Sequence, residues 1–306
     1  MVATAVLMIV SSIVTSGLLQ MTNAQRTIAN RTEMHSGVRG ATELLQQEIG
    51  QAGRVSVPAP ISLSLVGVQN APTVTLSSVT GLFVGEMVMI SGSVPETVKI
   101  TAINVGANQV TVVHVASNGV LTNNLQSTHP VNAAVLPVGG FGSGVVPPAP
   151  PLGTFVNGST GSVLKLYGDV NGDGNLVYVE YVCDTTVNHA LYRNMMAWTD
   201  ATKPGLSVAN TLLTNIQPNP PTTVGGAELP CFQYQMDISG NYVLDVAVTL
   251  TVQTQQVDSV TKKYQRETKA LLNISPRNVI STWQAAGGNQ NRVQPMPLNI
   301  SQNLLP

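Results

Sequence analysis

The sequence predicts an α+β chain: a long N-terminal helix packed on an antiparallel β-sheet head, with a small β module inserted between the two. Three observations predict it. Residues 1–21 carry no charge and are mostly aliphatic. From there to Ala52, apolar residues recur at spacings near three and four, the period of a helix with one buried face. Beyond Val55 that period gives way to short runs of Val, Ile, Leu and Thr separated by Gly, Pro, Asn and Asp, the pattern of strands and turns.

The first element (residues 1–53) is expected to be one helix from Met1 to Ala52, about 78 Å long at the usual rise per residue. Its uncharged start is long enough to span a bilayer, which takes about 20 residues. Neither a basic start nor a small-residue cleavage site marks it as a secretory signal, and the helical pattern runs on. The second half, residues 22–53, is amphipathic. Ile28, Val38, Ala41, Leu45, Ile49 and Ala52 form the apolar stripe, with Arg31, Glu33, Arg39, Glu43, Gln47 and Glu48 between them. Val38, Leu45 and Ile49 are expected to face the sheet. Gly53 is a C-terminal stop, and Pro58 and Pro60 forbid continuation.

Residues 54–156 form the inserted module and its linker. The runs Val74–Leu76, Met87–Ile90, Val98–Ile103 and Val110–Val115 predict a small barrel or sandwich. The segment 139–144, rich in glycine, reads as a flexible hinge, and Pro147–Pro151 as a stiff linker. The head follows at 157–280. In 242–253, Tyr242, Leu244, Val246, Val248, Leu250 and Val252 alternate with a more polar set, which predicts a strand with one face on a core. The tail, 281–306, is rich in Asn, Gln and Pro and reads as loop or disorder.

Composition narrows the function. Charged residues make up 9% and the net charge is −1, so no basic field runs along the chain to hold a nucleic-acid backbone. The histidines show no metal spacing, and no nucleophile elbow, phosphate loop or paired-acid motif stands out, so an enzyme is not expected. Cys183 and Cys231 both lie near the ends of strand-like runs; in an exported protein they are expected to pair, stabilising by roughly 4 kcal/mol. Residues 169–180 match the spacing of a calcium loop. Asp169, Asn171 and Asp173 would supply side-chain oxygens, Asn175 its carbonyl and Glu180 a carboxylate, with Gly174 at the sharp turn. The flanks read as strands rather than helices, and the alternative is a hairpin turn that suits Asp, Asn and Gly.

Several segments resemble type IV pilin-like proteins. Residues 1–10 resemble the stretch just after the start of mature type IV pilins. Glu43–Gly53 resembles the end of the long helix in PilW-type minor pilins and J-type pseudopilins. Leu176–Val182 followed by Leu191-Tyr192-Arg193, then Leu212–Ile216 with Phe232-Gln233-Tyr234, and finally Arg277-Asn278, resemble that family's later strands in order and spacing. The match covers residues 1–53 and roughly 160–280 and leaves the module outside. It departs from the family at the start, where the leader, the Gly cleavage site and the acidic residue that meets a neighbour's N-terminus are missing. Met1 falls several residues inside the mature start, so a natural start further upstream is expected. The resemblance implies a structural minor pilin of a type IV pilus. Its partners would be other pilin subunits, met through the N-terminal helix. It would sit in the inner membrane with a periplasmic head before assembly, and on the cell surface afterwards. A secretion pseudopilin, or an anchored adhesin outside any filament, is the alternative.

Overall fold

The computed structural model describes residues 2–55, 59–259 and 261–306; Met1 and Pro58 of the helix expectation lie outside the described residues. Helix α1 (Val2–Gln51) opens the chain and is unbroken over 50 residues. It stops where expected. Gly53 takes φ +81°, a left-handed conformation that glycine adopts without strain, and its N–H donates to the Tyr167 carbonyl at 2.9 Å.

The module is a closed antiparallel barrel. Its strands are β1 (Ile61–Ser62), β2 (Thr73–Thr75), β3 (Met87–Ile90), β4 (Glu96–Asn104), β5 (Gln109–Val115), β6 (Leu121–Asn123) and β7 (Ala134–Pro137). They run in the order β1-β7-β3-β4-β5-β2, with β6 beside β5. A bridge between Leu63 and Leu76 joins the two ends, with Ser64 donating to Thr75 at 2.9 Å and Ser77 to Ser62 at 2.8 Å. Closure leaves no long open edge. Val74, Val88, Ile90, Val98, Ile100 and Val112 fill the interior.

The segment expected as a flexible hinge is packed instead. It contains strand β8 (Gly140–Phe141), and Phe141 is fully buried. A Cβ on Gly144 would come within 2.1 Å of the Gly53 Cα. Glycine serves close backbone approach here, not flexibility.

The head is a curled antiparallel β layer of two four-stranded sheets: β9 (Val163–Gly168), β10 (Val177–Asp184), β11 (Ala190–Ala197) and β12 (Thr211–Thr214), in the order β12-β11-β10-β9, and β13 (Ile216–Gln217), β14 (Phe232–Met236), β15 (Val243–Gln253) and β16 (Arg266–Ile274), in the order β13-β15-β14 with β16 also beside β15. Alternate side chains of β10 enter two different cores. Val177, Val179 and Tyr181 meet Leu45 and Ile49 of α1, while Tyr178 points to a second cluster with Phe141 and Phe83. Val38, Leu45 and Ile49 are buried as expected. Ile28 is not: it is exposed, and the buried stripe begins at Met34. In β15, Val246, Val248, Leu250 and Val252 are core, but register shifts at Gln235/Met236 and Val246/Val248 reverse the phase at its start. Val243 is therefore fully buried and Leu244 only half-buried.

The tail is also ordered, contrary to the sequence expectation. Helix α2 (Arg277–Ala286) leads to β17 (Val293–Gln294), which pairs in parallel with β8, and to a last turn at Ile300–Leu304. Ile300 and Leu304 are fully buried. The Asn and Gln content that suggested disorder supplies hydrogen bonds: Asn299 donates to the carbonyls of Trp198 and Asp200 at 2.7 and 2.9 Å.

Candidate functional site

The first half of α1 is the most unusual surface of the chain. An 18-residue window there has mean hydropathy 2.1, and none of it is buried. Val2, Leu7, Met8, Ile13, Leu18 and Leu19 are all exposed. Single exposed aliphatics are ordinary, but a contiguous apolar surface marks an interaction site. Each such side chain forgoes about 1.5–3 kcal/mol of burial. Thr22 and Thr32 return their hydroxyls to the carbonyls of Leu18 and Ile28 at 2.9 Å, so these polar groups make no demand on a partner. The helix is long and apolar enough to cross a membrane. At about 75 Å it also exceeds a hydrocarbon core of about 30 Å, so its second half projects beyond one.

That second half is fixed to the head by a buried polar joint. Glu48 is 2% exposed. It accepts the Tyr181 hydroxyl at 2.5 Å and Arg193 Nε at 3.1 Å, and Arg193 Nη2 closes a second, shorter contact to the same carboxylate. Burial, reinforced by the Glu48 charge, pushes the Tyr181 phenol far above its usual range. The sequence reading placed Glu48 on the polar face. The spacing Ala41, Leu45, Glu48, Ala52, in steps of four, three and four, is the signal that puts it in the buried stripe. Replacing Glu48 with leucine strands Arg193 and the Tyr181 hydroxyl, and is expected to cost about 3 kcal/mol. Thermal unfolding of the detergent-solubilised protein checks this, with Glu43→Ala as control. Glu43 forms an exposed pair with Arg39 along the helix, worth about 0.5 kcal/mol or less.

The calcium-loop residues do not converge. Asp169 is buried and accepts the backbone N–H groups of Asp173 and Gly174 at 3.0 and 3.3 Å. Asp173 accepts the N–H of Asn175 at 2.9 Å, and the Asn171 amide reaches the Met195 sulfur. Arg54 Nε lies 3.6 Å from the other Asp169 oxygen, which is buried and makes no hydrogen bond. Glu180 points to the opposite face of β10 and pairs with Lys203 at 3.2 Å and Lys165 at 3.8 Å. Among the described residues no cluster of three or more His, Cys, Asp or Glu could hold a metal ion. The segment forms the β9–β10 hairpin turn.

Cys183 and Cys231 are joined in a disulfide, with Cα atoms 6.5 Å apart. Beside it Asp184 caps its own turn. The N–H groups of Val187, Asn188 and Thr186 hold its carboxyl well below the usual carboxylate range. In the barrel, sequence reasoning missed one further polar cluster. Glu96, buried, receives His114 Nδ1 at 2.9 Å, His129 Nε2 at 3.1 Å, and the N–H groups of Gln126 and Ser127. It ties the loop after β6 to the start of β4. These partners lie far apart in the chain, so only the fold brings them together.

Comparison with protein-family models finds no match, and comparisons with curated proteins and with solved structures find none either.

Proposed function

We propose that the chain is a structural subunit of a type IV pilus-like filament, a minor pilin that joins the filament through α1 and presents its head outward. The observation that carries this reading is the division of one unbroken helix into two surfaces. Residues before Met34 expose aliphatic side chains, and residues from Met34 to Ile49 bury theirs in the sheet. A helix of this kind anchors the head in a membrane and, after extraction, packs among like helices, which replace the lipid. The resemblance of Glu43–Gly53, Leu191–Arg193 and Arg277-Asn278 to PilW-type minor pilins supports the same reading.

The test is fractionation of the producing cells. The filament reading expects the chain in the inner membrane and also in sheared surface filaments, co-purifying with other pilin subunits. Recovery only from the membrane, in cells that do make filaments, would contradict it and favour an anchored binding module.

A further inference from the structure

The tail beyond Gly288 runs along the seam between barrel and head. On the barrel side, Gln294 accepts the Met87 N–H at 2.8 Å and donates to the carbonyls of Met87 and Val138 at 2.6 and 2.7 Å. One side-chain amide thus does the work of a short strand at the ends of β3 and β7. The tail backbone passes so close to Gly139 that a Cβ there would sit 1.6 Å from the Arg292 oxygen. On Gly119 a Cβ would sit 2.9 Å from the Gln290 amide oxygen, and on Gly85 it would sit 3.3 Å from the Pro295 ring.

On the head side, Lys165 Nζ donates to the Leu305 carbonyl at 2.6 Å, and Val293 and Gln294 pair with β8. The barrel and the helix–sheet head each have a core of their own. The third cluster is shared. It joins Phe83 of the barrel to Phe141 of β8 and Tyr178 of the head, and Ile300, Leu304 and Leu305 of the tail fill it.

We infer that the C-terminal segment Val293–Leu305 is a releasable strap that locks the inserted barrel against the sheet head. Seated, it holds the barrel in one orientation. Released, the barrel keeps its own core and loses the contacts that the tail makes across the seam. Three features make release local. The segment carries no charge. Pro295 and Pro297 prevent β17 from extending its ladder beyond two residues. What holds it is a few side-chain contacts rather than a long hydrogen-bonded ladder, the kind of element that opens below the global unfolding free energy. The inference stands apart from the filament reading and holds for an anchored module as well.

Hydrogen exchange of the full-length chain in detergent tests it, comparing the parent with Leu304→Asp, which ejects the apolar anchor, and Gln294→Ala, which removes only the barrel-side bonds. The strap expects exchange on the order of tenfold faster around Met87 and Val138–Phe141 in Leu304→Asp, and a smaller rise at the same places in Gln294→Ala. Exchange in β4, β5, β10 and β15 should stay unchanged. A uniform rise through barrel and head in Gln294→Ala would overturn the inference, because the tail would then be part of one indivisible core. No change at the seam in either variant would overturn it too, because the barrel would then be held without the tail.

Discussion

Between pH 4.5 and pH 8, the stability of Glu86→Gln relative to the parent is expected to grow by about 5 kcal/mol. Glu86 sits in the turn before β3 and is 1% exposed. One oxygen accepts the Phe83 N–H at 3.1 Å. Burial pushes its carboxyl up from 4.5 to about 8, against the smaller opposing effect of that hydrogen bond. The sign follows from proton counting. Below pH 4.5 the carboxyl is protonated whether the chain is folded or not, and stability does not depend on it. Between 4.5 and 8 only the folded state keeps the proton, so the parent loses about 1.4 kcal/mol per pH unit. Above 8 both states are ionised and the loss is complete. Glutamine keeps the acceptor for Phe83 and cannot ionise. Trp198, with its ring 5.9 Å from that of Phe83, gives a fluorescence reporter beside the site. Denaturant midpoints followed at Trp198 should diverge with rising pH, and parallel pH profiles would contradict the burial argument.

Removing the disulfide is the other large effect. Cys183 lies one residue before the end of β10 and Cys231 leads into β14, 48 positions apart, and both are buried. Cross-linking a loop of that length restricts the unfolded chain, so Cys183→Ala with Cys231→Ala is expected to cost about 4 kcal/mol. Calorimetry of the double variant against the oxidised parent reads this directly. The parent measured in reductant should move toward the variant only after long exposure, since the folded sheet shields both sulfurs. A loss well below 2 kcal/mol would mean that the unfolded chain is already compact across this loop.

Much of the fold was legible because it rests on periodicity. The helix, four of the barrel's seven strands (β2 to β5) and the face of β15 from Val246 to Val252 follow from apolar spacing alone, while the short β1, β6 and β7 do not. What stayed hidden depends on partners distant in sequence. Glu48 reads as a surface acid until Arg193 and Tyr181 are folded onto it. The glycines at 139–144 read as a hinge, although Gly144 is small because another backbone lies against it. The tail reads as disorder because it is rich in Asn, Gln and Pro, yet Ile300, Leu304 and Leu305 hold it once a shared cluster receives them. The loop at 169–175 has the side chains of a cation site, but one Asp169 oxygen is taken by backbone N–H groups and Glu180 turns away to Lys203 and Lys165. Of the proposed function, the apolar helix was plain from the sequence, whereas the point where it meets the head, at Met34, needed the structure.

The most direct test of the central claim is site-specific photo-crosslinking along α1 in cells. A crosslinker at Ile13, which is 65% exposed, should join the chain to the helix of another subunit, and one at Leu45, which is 0% exposed, should react only within the same chain. That pair of results is what a helix divided between filament core and head predicts. Ile13 products with lipid alone, in cells that assemble filaments containing the protein, would contradict it.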